Sequence, residues 1–183
     1  MPIVLALDLA LITGFAIGPS DGTPRSGSIK IGGEGMHTGD RGCAFQRFML
    51  DLIKVERPDL IAYEAPLSAK RGNTNADSTL VLFGLAWQTP TIATAKGIPF
   101  MPCHLGQVRA YFLGHGRPVK SDDVEKAVKR ACLTRGWAPK DHNAADALAV
   151  WEYAVATRWP KDAKRFALAG LGHVEQTETP ACP

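Results

Sequence analysis

The chain has 183 residues, 45% hydrophobic and 21% charged, with a formal net charge of +3. That is one domain with enough apolar material for a core, and no apolar run approaches the roughly 20 residues of a membrane helix. Four widely spaced cysteines (Cys43, Cys103, Cys132, Cys182) lack CxxC or zinc-ligand spacing, so they read as reduced thiols of a cytoplasmic protein, and no secretory leader pattern opens the sequence.

In chain order, residues 3–10 (IVLALDLA) form a nearly continuous apolar run, too short for a helix and broken by Asp8. They read as a buried strand. A carboxylate leaving such a strand costs several kcal/mol unless a cation or hydrogen-bond donors meet it. Residues 12–18 read as a second strand, with Gly14 where a bulge or a close backbone approach would fall. After a turn at 19–22, residues 25–31 alternate as a third strand and complete an antiparallel meander. A glycine-rich loop is expected over 32–42, and an amphipathic helix from Cys43 to Ile53, stopped by Pro58.

Residues 59–64 read as a short strand ending in Glu64, followed by a polar loop over 68–75 that holds Lys70 and Arg71. A long apolar helix is expected over 76–96, ended or kinked by Pro90. Residues 98–103 suit an edge strand, since two prolines cannot donate to a central ladder. Three helices follow, over 108–113, from Ser121 to Gly136, and over 143–158. The Thr/Pro/Glu-rich remainder reads as a loose tail, giving a domain over 1–159 and a tail over 160–183. The class is α/β: a mixed sheet of about five strands, a three-stranded meander plus parallel strands, flanked by helices.

Three acids stand at comparable places: Asp8 in the first strand, Glu64 at the end of the fourth, and Asp146 in the first turn of the last helix. Neighbouring strands with right-handed crossovers would gather them at one sheet end. An all-oxygen donor set selects Mg²⁺ or Mn²⁺ over zinc. Two such ions about 4 Å apart can activate a water and stabilise a leaving oxygen in phosphodiester hydrolysis. Around them the charge is local: from Arg109 to Lys140 there are eight Lys/Arg (109, 117, 120, 126, 129, 130, 135, 140) against Asp122, Asp123 and Glu125. Lys126, Lys129 and Arg130 also suit a plain solvated helix face.

Four stretches in order resemble the RuvC family of Holliday-junction resolvases, which have the ribonuclease-H-like fold. Leu5-Ala6-Leu7-Asp8-x5-Gly14-Phe15-Ala16 is similar to the family's first acid and hairpin, and Ala62-Tyr63-Glu64 to its second acid. Asn75-Ala76-Asp77-Ser78-Thr79-Leu80 resembles the start of its central helix, and Ala144-Ala145-Asp146-Ala147-Leu148-Ala149 its acidic last helix. Gly114-x-Gly116-Arg117-x-x-Lys120 resembles the glycine-containing turn with its lysine. The resemblance implies a dimeric, metal-dependent endonuclease that cuts branched DNA. Asp8 would bridge two ions, Glu64 and Asp146 would hold one each, and Lys120 would stabilise developing charge. Lys70, Arg71, Arg117 and Lys120 would contact DNA.

The family places an acid, or sometimes a histidine, three residues before its final aspartate; here that residue is Asn143, which adds no charge and cannot act as a base. Either Asn143, or Asp141 swung inward, completes the second metal site, or one of them merely caps the helix. That departure and the short chain suit a phage or prophage origin. The helix over 76–96 is more apolar than one face needs, so it is buried or forms a dimer seam. A junction-binding protein with a degraded site, and an actin-like phosphotransferase, are the competing readings; the latter needs a larger second domain than 183 residues allow.

Overall fold

Apolar on both faces, Ile3–Asp8 becomes β1, the middle strand of the sheet. The computed structural model describes residues 1–33, 35–66, 76–114 and 121–163, apart from the side chains at 76–78 and 121–123. Lys70, Arg71, Arg117, Lys120 and the part of the expected tail from 164 lie outside the described residues.

β2 (Ile12–Pro19) pairs antiparallel with β1, and β3 (Arg25–Lys30) with β2. α1 (Thr38–Glu56) crosses to β4 (Leu60–Glu64), parallel to β1, and α2 (Ala76–Ala95) crosses to β5 (Phe100–Cys103), parallel to β4. Among the described residues the order is β3-β2-β1-β4-β5, a mixed five-stranded sheet with β5 at one edge. α3 (Leu105–Leu113), α4 (Ser121–Thr134) and α5 (His142–Arg158) follow. None of the described helices is long and apolar enough to cross a membrane.

Alternation along the strands sorts the core into two layers. Leu5, Leu7, Ile17 and Ile61 pack against Phe45 and Met49 of α1 and Val81 and Leu85 of α2. On the other face Val4, Ala6, Ala16, Leu60 and Ala62 meet Ala145, Leu148, Trp151 and Val155 of α5. Small residues on both partners let α5 lie close on the sheet. Its buried Trp151 donates its indole N–H to Val4 O at 3.1 Å, so the largest side chain in that layer leaves no polar atom stranded.

Among the places where the elements differ from expectation, three have a clear local reason. α1 starts at Thr38, inside the expected loop, because Arg41 folds back to donate to Gly33 O at 2.8 Å and Met36 O at 3.1 Å. Those bonds outweigh the weak helix propensity of Gly39 and Gly42. α2 runs through Pro90 to Ala95. On either side of the proline, the Thr89 and Thr91 hydroxyls bond Leu85 O and Trp87 O. β1 stops at Asp8, since Thr13 Oγ1 reaches back to Ala10 O at 2.7 Å and closes a tight turn. Beyond α5, residues 160–163 make a helical turn in which Asp162 accepts a hydrogen bond from Ser20 and Ala163 is buried.

Candidate active site

Parallel pairing of β1 and β4 puts both strands' C-terminal ends on one side of the sheet, the usual place for chemistry in α/β folds. Asp8 and Glu64 follow directly on the register pair Leu7–Tyr63. Both follow the alternation of Ala6 and Ala62, and so share the α5 side of the sheet. α5 begins over the same end, and its Asp146 is the third acid. All three are half-buried, within reach of solvent but walled by protein.

Their electrostatics report the crowding. Asp8 is pushed up to about 8, first by burial, then by Glu64 and Asp146, against the pull of Arg109 and with a further push from Asp141. Glu64 rises to about 7 through burial and Asp146, again opposed by Arg109. Burial raises Asp146 as well, while Arg109 and His142 draw it down and Glu125 adds to the rise. Carboxylates that repel one another this way need a cation to ionise together.

The donor set suits a hard divalent cation, because its ligands are carboxylate oxygens. The neighbouring Cys103, paired with Glu64 across β4 and β5, offers no thiolate: burial pushes it up to about 12. Among the described residues, however, no three His, Cys, Asp or Glu side chains converge as closely as a metal site requires. The acids are near enough to raise one another, and as they stand they do not form a closed metal site.

Of the residues singled out from the sequence, Asp8, Glu64 and Asp146 come together. Asn143 sits at the start of α5, only 7% exposed, with its carbonyl pressed on Gly14. Asp141 is the N-cap. Its Oδ1 accepts from Ala144 N at 2.9 Å, and its Oδ2 accepts from the Ser28 hydroxyl on β3. Burial alone would raise Asp141, but those bonds hold it below the usual carboxylate range. With both oxygens engaged it takes the capping role, and the inward swing is not what the structure has.

Two contributors were not singled out as site residues from the sequence. Arg109, on α3, lowers all three acids, yet its Nε is buried without a hydrogen-bond partner, and among the described residues it makes no ion pair within 4.0 Å. It was counted in the basic stretch from Arg109 to Lys140, and its further signal was position: it follows the core residue Val108 on the helix after β5. Ser28 is the other, an edge-strand hydroxyl that ties β3 to the cap of α5. Gly14 answers its expectation, since a Cβ there would lie 2.0 Å from Asn143 O.

A mixed sheet in the order β3-β2-β1-β4-β5, with its acids at the ends of β1 and β4, is the ribonuclease-H-like fold. No family model matches the sequence, and no curated protein matches it. Among solved structures the chain is similar to RuvC of Thermus thermophilus, at 22% identity and a TM-score of 0.60, covering 85% of this chain and 95% of that one. It is also similar to T. thermophilus RuvC in complex with a Holliday junction substrate, at 19% identity and a TM-score of 0.65, covering 86% and 96%. The yeast mitochondrial Holliday junction resolvase Ydc2 matches at 13% identity and a TM-score of 0.61, covering 92% and 82%. At these identities the likeness is one of fold.

Two outcomes follow from the packing and the charges. Gly14→Ala drives a methyl into the Asn143 backbone, so it will lift the first turn of α5 and lower the melting temperature, read by circular dichroism. Without divalent cations, Asp8 and Glu64 stay protonated in the fold at pH values where the unfolded chain has released those protons. Their contribution is therefore full below about pH 4, and it is lost as pH rises through about 7 and 8. In EDTA, the melting temperature of the wild type should fall from pH 5 to pH 8.5 more steeply than that of Asp8→Asn; equal slopes would contradict the crowding.

Proposed function

We propose that the protein is a divalent-metal-dependent endonuclease of the RuvC type, cutting four-way or otherwise branched DNA by phosphodiester hydrolysis. The observation that carries this is the convergence of Asp8, Glu64 and Asp146 on one sheet end, each raised by burial and repulsion. The shared fold with RuvC and Ydc2 supports the substrate class. Asp8, Glu64 and Asp146 are the residues that would hold Mg²⁺ or Mn²⁺, with Asn143 the remaining candidate ligand. When bound, such ions activate water and stabilise the leaving oxygen.

The chain's own groups complete the reading. Arg109, which draws down all three acids and has no hydrogen-bond partner at its Nε, is the proposed partner of a phosphate bound beside them. Lys120, Arg117, Lys70 and Arg71 remain proposed DNA contacts. The exposed residues Lys126, Lys129 and Arg130 put further positive charge on α4. A non-cleaving junction binder is the second reading, and what favours it is the missing fourth acid: Asn143 is neutral and Asp141 is taken up as a cap.

A second copy of the chain is the proposed partner. Leu80, Phe83 and Trp87 are 60%, 41% and 78% exposed and, with Gly84, share one face of α2 at helical spacing. A two-fold seam there would give two sites for two strands.

Purified protein should nick a synthetic four-way junction in Mg²⁺ or Mn²⁺. Asp8→Asn should abolish nicking and keep binding in Ca²⁺; undiminished cutting by that variant would remove the assignment. Leu80→Glu with Trp87→Glu should halve the mass measured by light scattering, and a wild type already monomeric at high concentration would contradict the seam.

A further inference from the structure

Beside the acids the sheet carries two rows of residues on the α5 side. The inner row, Ser28, Gly14 and Asp8, crosses β3, β2 and β1 in register. α5 covers part of it, with Asp141 on Ser28 and the Asn143 carbonyl on Gly14. One step outward, Ile12 pairs with Lys30 on the same face by alternation. Both are exposed, Ile12 by 45%, and Leu11 beside it by 39%.

This exposure is built in rather than slack. Leu9 is buried at 4% and Thr13 is fully buried, its hydroxyl on Ala10 O. Ile31 N bonds Leu11 O at 2.7 Å. A turn pinned at three points thus presents two large aliphatic side chains to solvent, three and four residues after Asp8.

We propose that Leu11, Ile12 and Lys30 form a shelf for the DNA strand that leaves the acids toward β3. Lys30 takes a phosphate, and Leu11 with Ile12 packs on a base unstacked next to the cut bond. This rests on the nuclease reading above. DNA is the occupant because a cation and an apolar pair stand side by side and run on from the acid cluster. Phosphate contacts hold register, while aliphatic wedges stabilise opened base steps.

The test uses a four-way junction with 2-aminopurine beside the cleavage point, a base that brightens when unstacked. In Ca²⁺, wild type should raise its fluorescence several-fold; Leu11→Ser with Ile12→Ser should remove most of the rise, and Ile12→Phe should retain it. In Mg²⁺ the serine variant should cut a paired junction about tenfold more slowly, and recover on a junction mismatched at that step. Lys30→Ala should weaken binding several-fold.

A serine variant that brightens the probe like wild type, or a paired-to-mismatched cutting ratio unchanged from wild type, overturns the shelf. If wild type binds and brightens the probe through these side chains yet never cuts, the shelf stands and the nuclease reading falls. No binding to branched DNA overturns both.

Discussion

Repulsion among three half-buried carboxylates is the constraint around which the sheet end is arranged. Asp8 and Glu64 are forced together by parallel pairing of their strands, and Asp146 is brought over them by the helix that closes the fold. Burial then makes each negative charge expensive. A fold that only needed stability would place apolar or hydrogen-bonded residues there. Keeping three acids there, with the half-buried Arg109 nearby making no ion pair within 4.0 Å among the described residues, makes sense where a cation and a phosphate supply the missing charge balance.

That arrangement depends on how close α5 comes to the sheet. Gly14 has no side chain because the Asn143 carbonyl occupies its place, and alanines line both surfaces behind it. Ser28 and Ala144 fix the Asp141 cap, which sets where the helix begins and therefore where Asp146 stands three residues after Asn143. Deeper along the same helix, Glu152 pairs with Arg135, whose guanidinium also lies 4.1 Å from the Phe112 ring centroid and donates to Phe112 O at 3.1 Å. The acidic helix and the helix that carries Arg109 are thereby joined.

Much of this was legible in the chain. The apolar run around Asp8, the meander, the strand ending in Glu64 and the edge character of a proline-bearing last strand each follow from local patterning. Glycine at position 14 announced a close approach but not its partner, because only the fold decides what lies over a strand. The start of α1 was hidden since Arg41 acts on carbonyls several residues away, and propensity scores see only Gly39 and Gly42. Arg109 was counted among the basic residues of its region, but charge counting cannot say which cation turns inward. Asp141 and Asn143 were both open as ligands until the Ser28 bond, a contact across 113 residues, assigned Asp141 to the cap.

The account turns on whether the three acids together hold divalent cations. Anomalous diffraction from crystals soaked in Mn²⁺ reads this directly. The expected result is manganese density touching Asp8 together with Glu64 or Asp146, the carboxylates drawn closer than they lie without metal. Manganese absent from the cluster at millimolar concentration, or bound only elsewhere on the surface, would contradict it.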